Sequence, residues 1–157
     1  MVITQPMAMG PSSIIERFII NYQDITAAGT TLTLALKTLP KGSIIKGVKI
    51  KHATAFAGGG NTAVTVSVGS TAGSATTFAS AFDIYQAVAD TTMALTSGWK
   101  AATAAADTLN AYFTCTTGVL SGLTAGLVSI DVEYFLMEDL TATGPCGNQL
   151  VGGGGLA

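Results

Sequence analysis

Hydrophobic and polar residues alternate with a period of two through most of this chain, and short clusters of Gly, Pro, Ser and Thr interrupt the alternation. That pattern is the signature of half-buried strands joined by turns. It is clearest from Leu39 to Gly69. From Gly47 onward, Val48, Ile50 and His52 fall on one side and Lys49 and Lys51 on the other. Phe56-Ala57-Gly58-Gly59-Gly60-Asn61-Thr62 then supplies residues that tolerate a tight reversal, and Ala63-Val64-Thr65-Val66-Ser67-Val68-Gly69 resumes the alternation with three valines. The stretch predicts a hairpin whose exposed, Gly-rich tip is Gly58, Gly59, Gly60 and Asn61.

The rest of the chain follows the same logic. Residues 1–12, broken by Pro6, Gly10 and Pro11, carry no usable periodicity and are expected to form an extended N-terminal arm. A first strand is predicted over Ser13 to Tyr22, where Glu16, Phe18, Ile20 and Tyr22 oppose Ile15, Arg17 and Ile19. Neither side is purely polar, so both faces are expected to be covered. Thr31 to Lys37 alternates cleanly and ends at the turn Leu39-Pro40-Lys41-Gly42. Phe78 to Ala89 suits an irregular strand through Phe82, Ile84 and Gln86 as well as a short helical turn through Phe78, Phe82 and Tyr85.

Thr91 to Trp99 and Thr108 to Thr116 read as strands, with a loop or strand edge at 101–106 and a turn over Gly118 to Gly126. The last strand, Leu127 to Leu136, places Val128, Ile130, Val132, Tyr134 and Leu136 inward and Ser129, Asp131 and Glu133 outward. Residues 138–157, rich in Gly, are expected to form a flexible C-terminal tail. About eight strands and almost no helix predict an all-β chain. The expected fold is an antiparallel β-sandwich, jelly-roll-like, spanning residues 13–137. Lys49 or Lys51 is expected to oppose Asp131 or Glu133 on neighbouring strands, setting register and contributing only about 0.2–1 kcal/mol per pair.

Composition changes the picture in one respect. Charged residues make up 10% of the 157 residues and the net charge is −2, against about 25% charged in an ordinary soluble domain. So little repulsion favours an assembled state. No apolar run approaches the length of a membrane span, and no membrane partner is expected. Met1-Val2-Ile3-Thr4-Gln5-Pro6 lacks the basic start and apolar run of a secretory signal, so the chain is expected to stay in the cytoplasm of the cell that makes it. Cys115 falls in a predicted strand and Cys146 in the tail, and free thiols are expected.

Candidate chemistry is sparse. His52 is the one histidine and the cysteines lack a Cys-x-x-Cys spacing, so no metal site and no cofactor are expected. His52 reads as a core or rim residue. No Gly-x-Ser-x-Gly elbow exists, and Gly58-Gly59-Gly60 is followed by a strand and not by the Lys and helix of a phosphate loop. Asp131 and Glu133 could hold the paired carboxylates of a glycoside hydrolase, but a solvated sheet face opposite lysines explains them better. Five of the seven basic residues lie between Lys37 and Lys51, yet no aromatics interleave with them and the pI is near 5.1. No nucleic-acid partner is expected.

Leu39-Pro40-Lys41-Gly42-Ser43-Ile44-Ile45-Lys46-Gly47-Val48, followed by Phe56 to Thr62 and Val64 to Gly69, resembles small structural proteins of tailed bacteriophage virions. So does Leu123-Thr124-Ala125-Gly126 with Val128 to Tyr134. The resemblance covers roughly residues 30–136 and stops before the tail. It implies a non-enzymatic capsid cement or decoration protein: a homotrimer on the outer surface of the head shell, made in the host cytoplasm, whose partner is the major capsid protein. The terminal arms would then order on binding. Related sandwiches in head fibres and tail appendages imply an alternative, a module binding a host receptor or glycan through Trp99, Tyr85 and the Gly-rich loop.

Overall fold

The computed structural model describes residues 13–85, 90–93 and 103–136. Eight strands form two four-stranded antiparallel sheets. The strands are β1 (Ile14–Asn21), β2 (Thr31–Leu39), β3 (Ser43–Gly58), β4 (Ala63–Ser70), β5 (Ala79–Asp83), β6 (Asp90–Met93), β7 (Asp107–Thr116) and β8 (Leu123–Leu136). The first sheet runs β1-β8-β3-β6 and the second β2-β7-β4-β5. Every strand of the first half thus pairs with its mirror in the second half: β1 with β8, β2 with β7, β3 with β6, β4 with β5. The chain is one long antiparallel ribbon, folded between β4 and β5 and rolled so that β3 meets β8 and β4 meets β7. This is the jelly-roll arrangement of a β-sandwich.

The core is the set of inward positions that the alternation identifies. Val64, Val66 and Val68 of β4 and Leu109, Ala111 and Phe113 of β7 are buried from one side; Val48 and Ile50 of β3 and Val128, Ile130 and Val132 of β8 are buried from the other. Burial of each large aliphatic or aromatic side chain contributes about 1.5–3 kcal/mol. Two strands change phase part-way. The β3–β8 register shifts between Ile45 and Gly47, so Ser43 and Ile45 point inward before the shift, and Val48, Ile50 and His52 after it. The β2–β7 register shifts between Ala35 and Lys37, which turns Lys37 from the outer face toward the seam between the sheets.

Several expectations change. Leu39 to Gly69 is not a hairpin, because β3 and β4 lie in different sheets and the glycine loop between them is a corner. Strand β3 also runs through Phe56 and Ala57, expected as loop, to Gly58. Of Phe78 to Ala89, Ala79–Asp83 forms a strand, and 86–89 lie outside the described residues. Of the turn expected over Gly118 to Gly126, only Leu120–Gly122 forms a helical turn, and β8 begins at Leu123. Leu136 is 41% exposed, not inward. Strand β1 is not covered on both faces: Ile15 and Ile19 are each 67% exposed. The expected arm and tail, and Trp99 and Cys146, fall outside the described residues.

Gly126 adopts φ = +143°, and a Cβ there would sit 2.4 Å from the ring of Phe56, which is fully buried. Backbone and packing both demand glycine. Gly47 has open space around its Cα. Gly126→Ala is therefore expected to cost at least about 2 kcal/mol in urea unfolding, and Gly47→Ala less than about 1 kcal/mol in either direction.

Candidate functional site

The charged residues singled out in the sequence meet on the outer face of the first sheet. Lys49 of β3 lies directly opposite Asp131 of β8, and on the far side of β8 Arg17 of β1 opposes the same carboxylate. The row Arg17, Asp131, Lys49 therefore alternates in sign across three strands. Arg17 holds Asp131 with two bonds of 2.7 Å, from Nε and Nη2. Lys51 faces Ser129, not a carboxylate. Glu133 faces Gly47, and its partner is Lys46, whose Nζ donates at 2.6 Å. The bulge before Gly47 brings Lys46 beside Glu133. Arg17 and Lys46 were not among the predicted pairs, because neither the β1–β8 register nor the bulge is visible in local alternation.

These pairings set the ionisation of the face. The bonds from Arg17 hold the Asp131 carboxyl below the usual range, helped by the nearby charge of Lys49. Bonds from Lys46 and the Ser13 side chain do the same for Glu133, and Asp131 raises Arg17 in turn. With both carboxylates engaged by cations on a sheet face, the geometry matches a structural ladder and not a hydrolytic pair.

A second ionic group closes the seam between the sheets. Glu16 points inward from β1 and pairs with Lys37, which also donates to the Tyr134 hydroxyl at 2.8 Å. The Tyr134 hydroxyl in turn donates to Glu16 at 3.2 Å. Bonding to Glu16 and to Tyr134 raises the Lys37 ammonium. An inward-pointing charge on an edge strand is a known guard against edge-to-edge pairing.

The Gly58 to Asn61 loop is only partly the exposed tip expected. Gly59 and Gly60 are exposed, Gly58 is half-buried and Asn61 is buried at 5% exposure. Asn61 Nδ2 donates to the carbonyls of Gly58 (3.0 Å) and Val119 (3.3 Å), and the Thr117 hydroxyl donates to the Gly60 carbonyl at 3.1 Å. Gly58, Gly59 and Gly60 all have positive φ, between 67° and 106°. The loop is a pinned corner joining the two sheets.

A cavity of about 270 Å³ opens at one end of the sandwich, lined by Ser43, Ser70, Thr77, Thr103 and Asp107 among others. Its hydroxyls are engaged internally. Ser43 Oγ and Thr103 Oγ1 both donate to the Pro40 carbonyl, at 2.6 and 3.1 Å. Burial pushes the Asp107 carboxyl up, but bonds from Ser70 and from the amides of Ala72, Thr108 and Thr71 outweigh it and hold the group below the usual range. His52 is fully buried with its ring 5.6 Å from that of Phe82, and burial raises the thiol of Cys115, which is free. Tyr85 and Tyr112 are half-buried. Among the described residues, no group of three or more His, Cys, Asp and Glu is placed to hold a metal ion, and no helix is long and apolar enough to cross a membrane.

Asp107, Asp131 and Glu133 share one direction of shift, so folding is favoured by their ionised forms. Their contribution is complete above the unfolded carboxylate range of about 4 and is lost as pH falls through the lower folded values. Urea unfolding free energy is expected to be level from neutral pH to about pH 5 and to fall below about pH 4. Asp107→Asn is expected to shallow that fall, and an unchanged acid limb in this variant would contradict the assignment.

No family model matches the chain, and no curated protein sequence matches it. Among solved structures the chain is similar to a component of the cyanophage Pam1 capsid asymmetric unit, with a TM-score of 0.59 at 19% identity. The match covers 87% of this chain and 94% of that one. The likeness is one of fold.

Proposed function

We propose that this chain is a non-enzymatic structural protein of a bacteriophage virion, and within that class a cement protein that stabilises contacts between capsid subunits on the outer surface of the head shell. The observation that carries the reading is the near full-length match in fold to a capsid component. The chemistry of the surface supports it. Asp131 and Glu133 of the first sheet are tied to cations, the hydroxyls of Ser43 and Thr103 beside the cavity are bonded to the Pro40 carbonyl, and 10% charged residues leave little repulsion to oppose association.

A protein of this kind works by burying area against neighbours. Weak single contacts suffice when several copies attach together, since each bound copy raises the effective concentration of the next. A homotrimer meets that need, and the Gly-rich segment 138–157 of each copy is a candidate contact for the major capsid protein. The purified protein is expected to be trimeric by light scattering. It is expected to co-sediment at saturating stoichiometry with expanded capsid shells, and to bind unexpanded shells or free capsid subunits at least about tenfold more weakly, as loss of simultaneous attachment requires. Failure to bind either form of shell would remove the proposal.

A further inference from the structure

We propose that residues 71–77 form a strap that opens as a unit while the sandwich stays folded, and that the carboxylate of Asp107 is the latch holding it shut. The strap leads from β4 to β5 and lies back over the outer face of the second sheet. Ser70 and Phe78, which flank it, are buried at 4% exposure each, but no residue between them is buried. With so little apolar area to hold it, the segment depends on hydrogen bonds for its position. Its seat is Gly69 of β4, where a Cβ would lie 1.9 Å from the Ser74 carbonyl oxygen. Gly69 is in a strand and is not among the glycines of positive φ, so the close approach of the strap is what requires glycine there.

The strap is bonded within itself, since the Ser74 amide donates to Thr77 Oγ1 at 2.6 Å and the Thr77 amide and hydroxyl donate to the Ser74 carbonyl at 3.1 and 2.8 Å. It can therefore move without coming apart. Its ties to β7 are the Thr71 amide on the Thr108 carbonyl (3.0 Å), Asn110 Nδ2 on Thr71 Oγ1 (2.9 Å) and the Ala72 amide on Asp107 Oδ1 (3.0 Å). Only the last has an ionisable partner, and a carboxylate accepts more strongly than a neutral oxygen. Burial pushes the Asp107 carboxyl up, but bonds from Ser70, Ala72, Thr108 and Thr71 bring it below the usual range. The closed strap thus favours the ionised form: closure is complete above the open-state carboxylate range of about 4 and is lost as pH falls through the lower closed value. The residues packed around Asp107 are uncharged, with Leu39 opposite it on β2 and Ser43, Thr77 and Thr103 beside it around the cavity. Lys37 and Lys41 flank Leu39 in the chain, and Lys37 is held by Glu16. Ala72, Gly73 and Thr77 line the cavity of about 270 Å³ together with Ile45 and Phe78, so lifting the strap turns that cavity into an open cleft. The device does not depend on the shell-binding reading.

The test is amide hydrogen exchange of the full chain under native conditions over a urea series. The amides of Thr71 and Ala72 are expected to share one opening constant, nearly independent of urea and at least about a hundredfold larger than that of Val66 and Phe113 in the core. Asp107→Asn is expected to raise the strap constant at least about tenfold at pH 7 and to abolish its rise below about pH 4. Gly69→Ala is expected to raise it at least about tenfold as the added methyl group displaces the Ser74 carbonyl. A strap constant equal to that of the core, with the same urea dependence, overturns the proposal, because the strap would then leave only when the sandwich unfolds. A constant unmoved by Asp107→Asn contradicts the latch, and one unmoved by Gly69→Ala contradicts the seat. Should Gly69→Ala fail to fold, the urea series and Asp107→Asn still decide.

Discussion

The pairing of β3 with β8 is the constraint from which the rest of the structure follows. These are the two longest strands, and their ladder runs from Ser43 opposite Leu136 to Gly58 opposite Leu123. Strand β1 is added to the free side of β8 and β6 to the free side of β3. Their inner faces present Val48, Ile50 and Phe56, with Val128, Ile130 and Val132, as one wall of the core. Because the side-chain period of a strand is two, a slip of one residue in this ladder would turn the inward side chains of the slipped strand outward. The bulge before Gly47 and the positive φ of Gly126 keep both long strands in phase with the core over their whole length.

The same pairing accounts for the charged face. Once β3, β8 and β1 lie side by side, Lys49, Asp131 and Arg17 fall in one row, and the bulge sets Lys46 beside Glu133. Exposed pairs of this kind contribute modestly to stability. Their larger consequence is that the carboxylates best placed for chemistry are already engaged. On the second sheet the outward residues of β2, β7 and β4 are mostly uncharged, among them Thr31, Thr114 and Thr65 in one cross-strand row. Such a surface has little to repel a neighbour.

Most strands were legible in the sequence, because inward and outward residues alternate without ambiguity in stretches such as Val64 to Val68 and Val128 to Val132. The partner of each strand was not. Two alternating runs joined by Gly58-Gly59-Gly60 look the same whether they pair or pass to opposite sheets, and only the return of β8 onto β3 decides between the two. That Lys49 or Lys51 would oppose Asp131 or Glu133 was legible from charge and phase; which of them meet is set by the register, which pairs Lys49 with Asp131. Arg17 and Lys46 were hidden behind a register and a bulge, and Asn61 behind its contact with Val119, 58 residues away. Ile15 and Ile19 misled: their apolar character suggested a strand covered on both faces, whereas among the described residues the outer face of β1 is exposed.

On the proposed reading, the effect of this protein lies in what it touches. The most direct measurement is calorimetry of emptied, expanded capsid shells with and without the saturating protein. The account predicts that the shell transition moves to higher temperature when the protein is bound, because a ligand of the assembled form stabilises that form. An unchanged transition at full occupancy would contradict it.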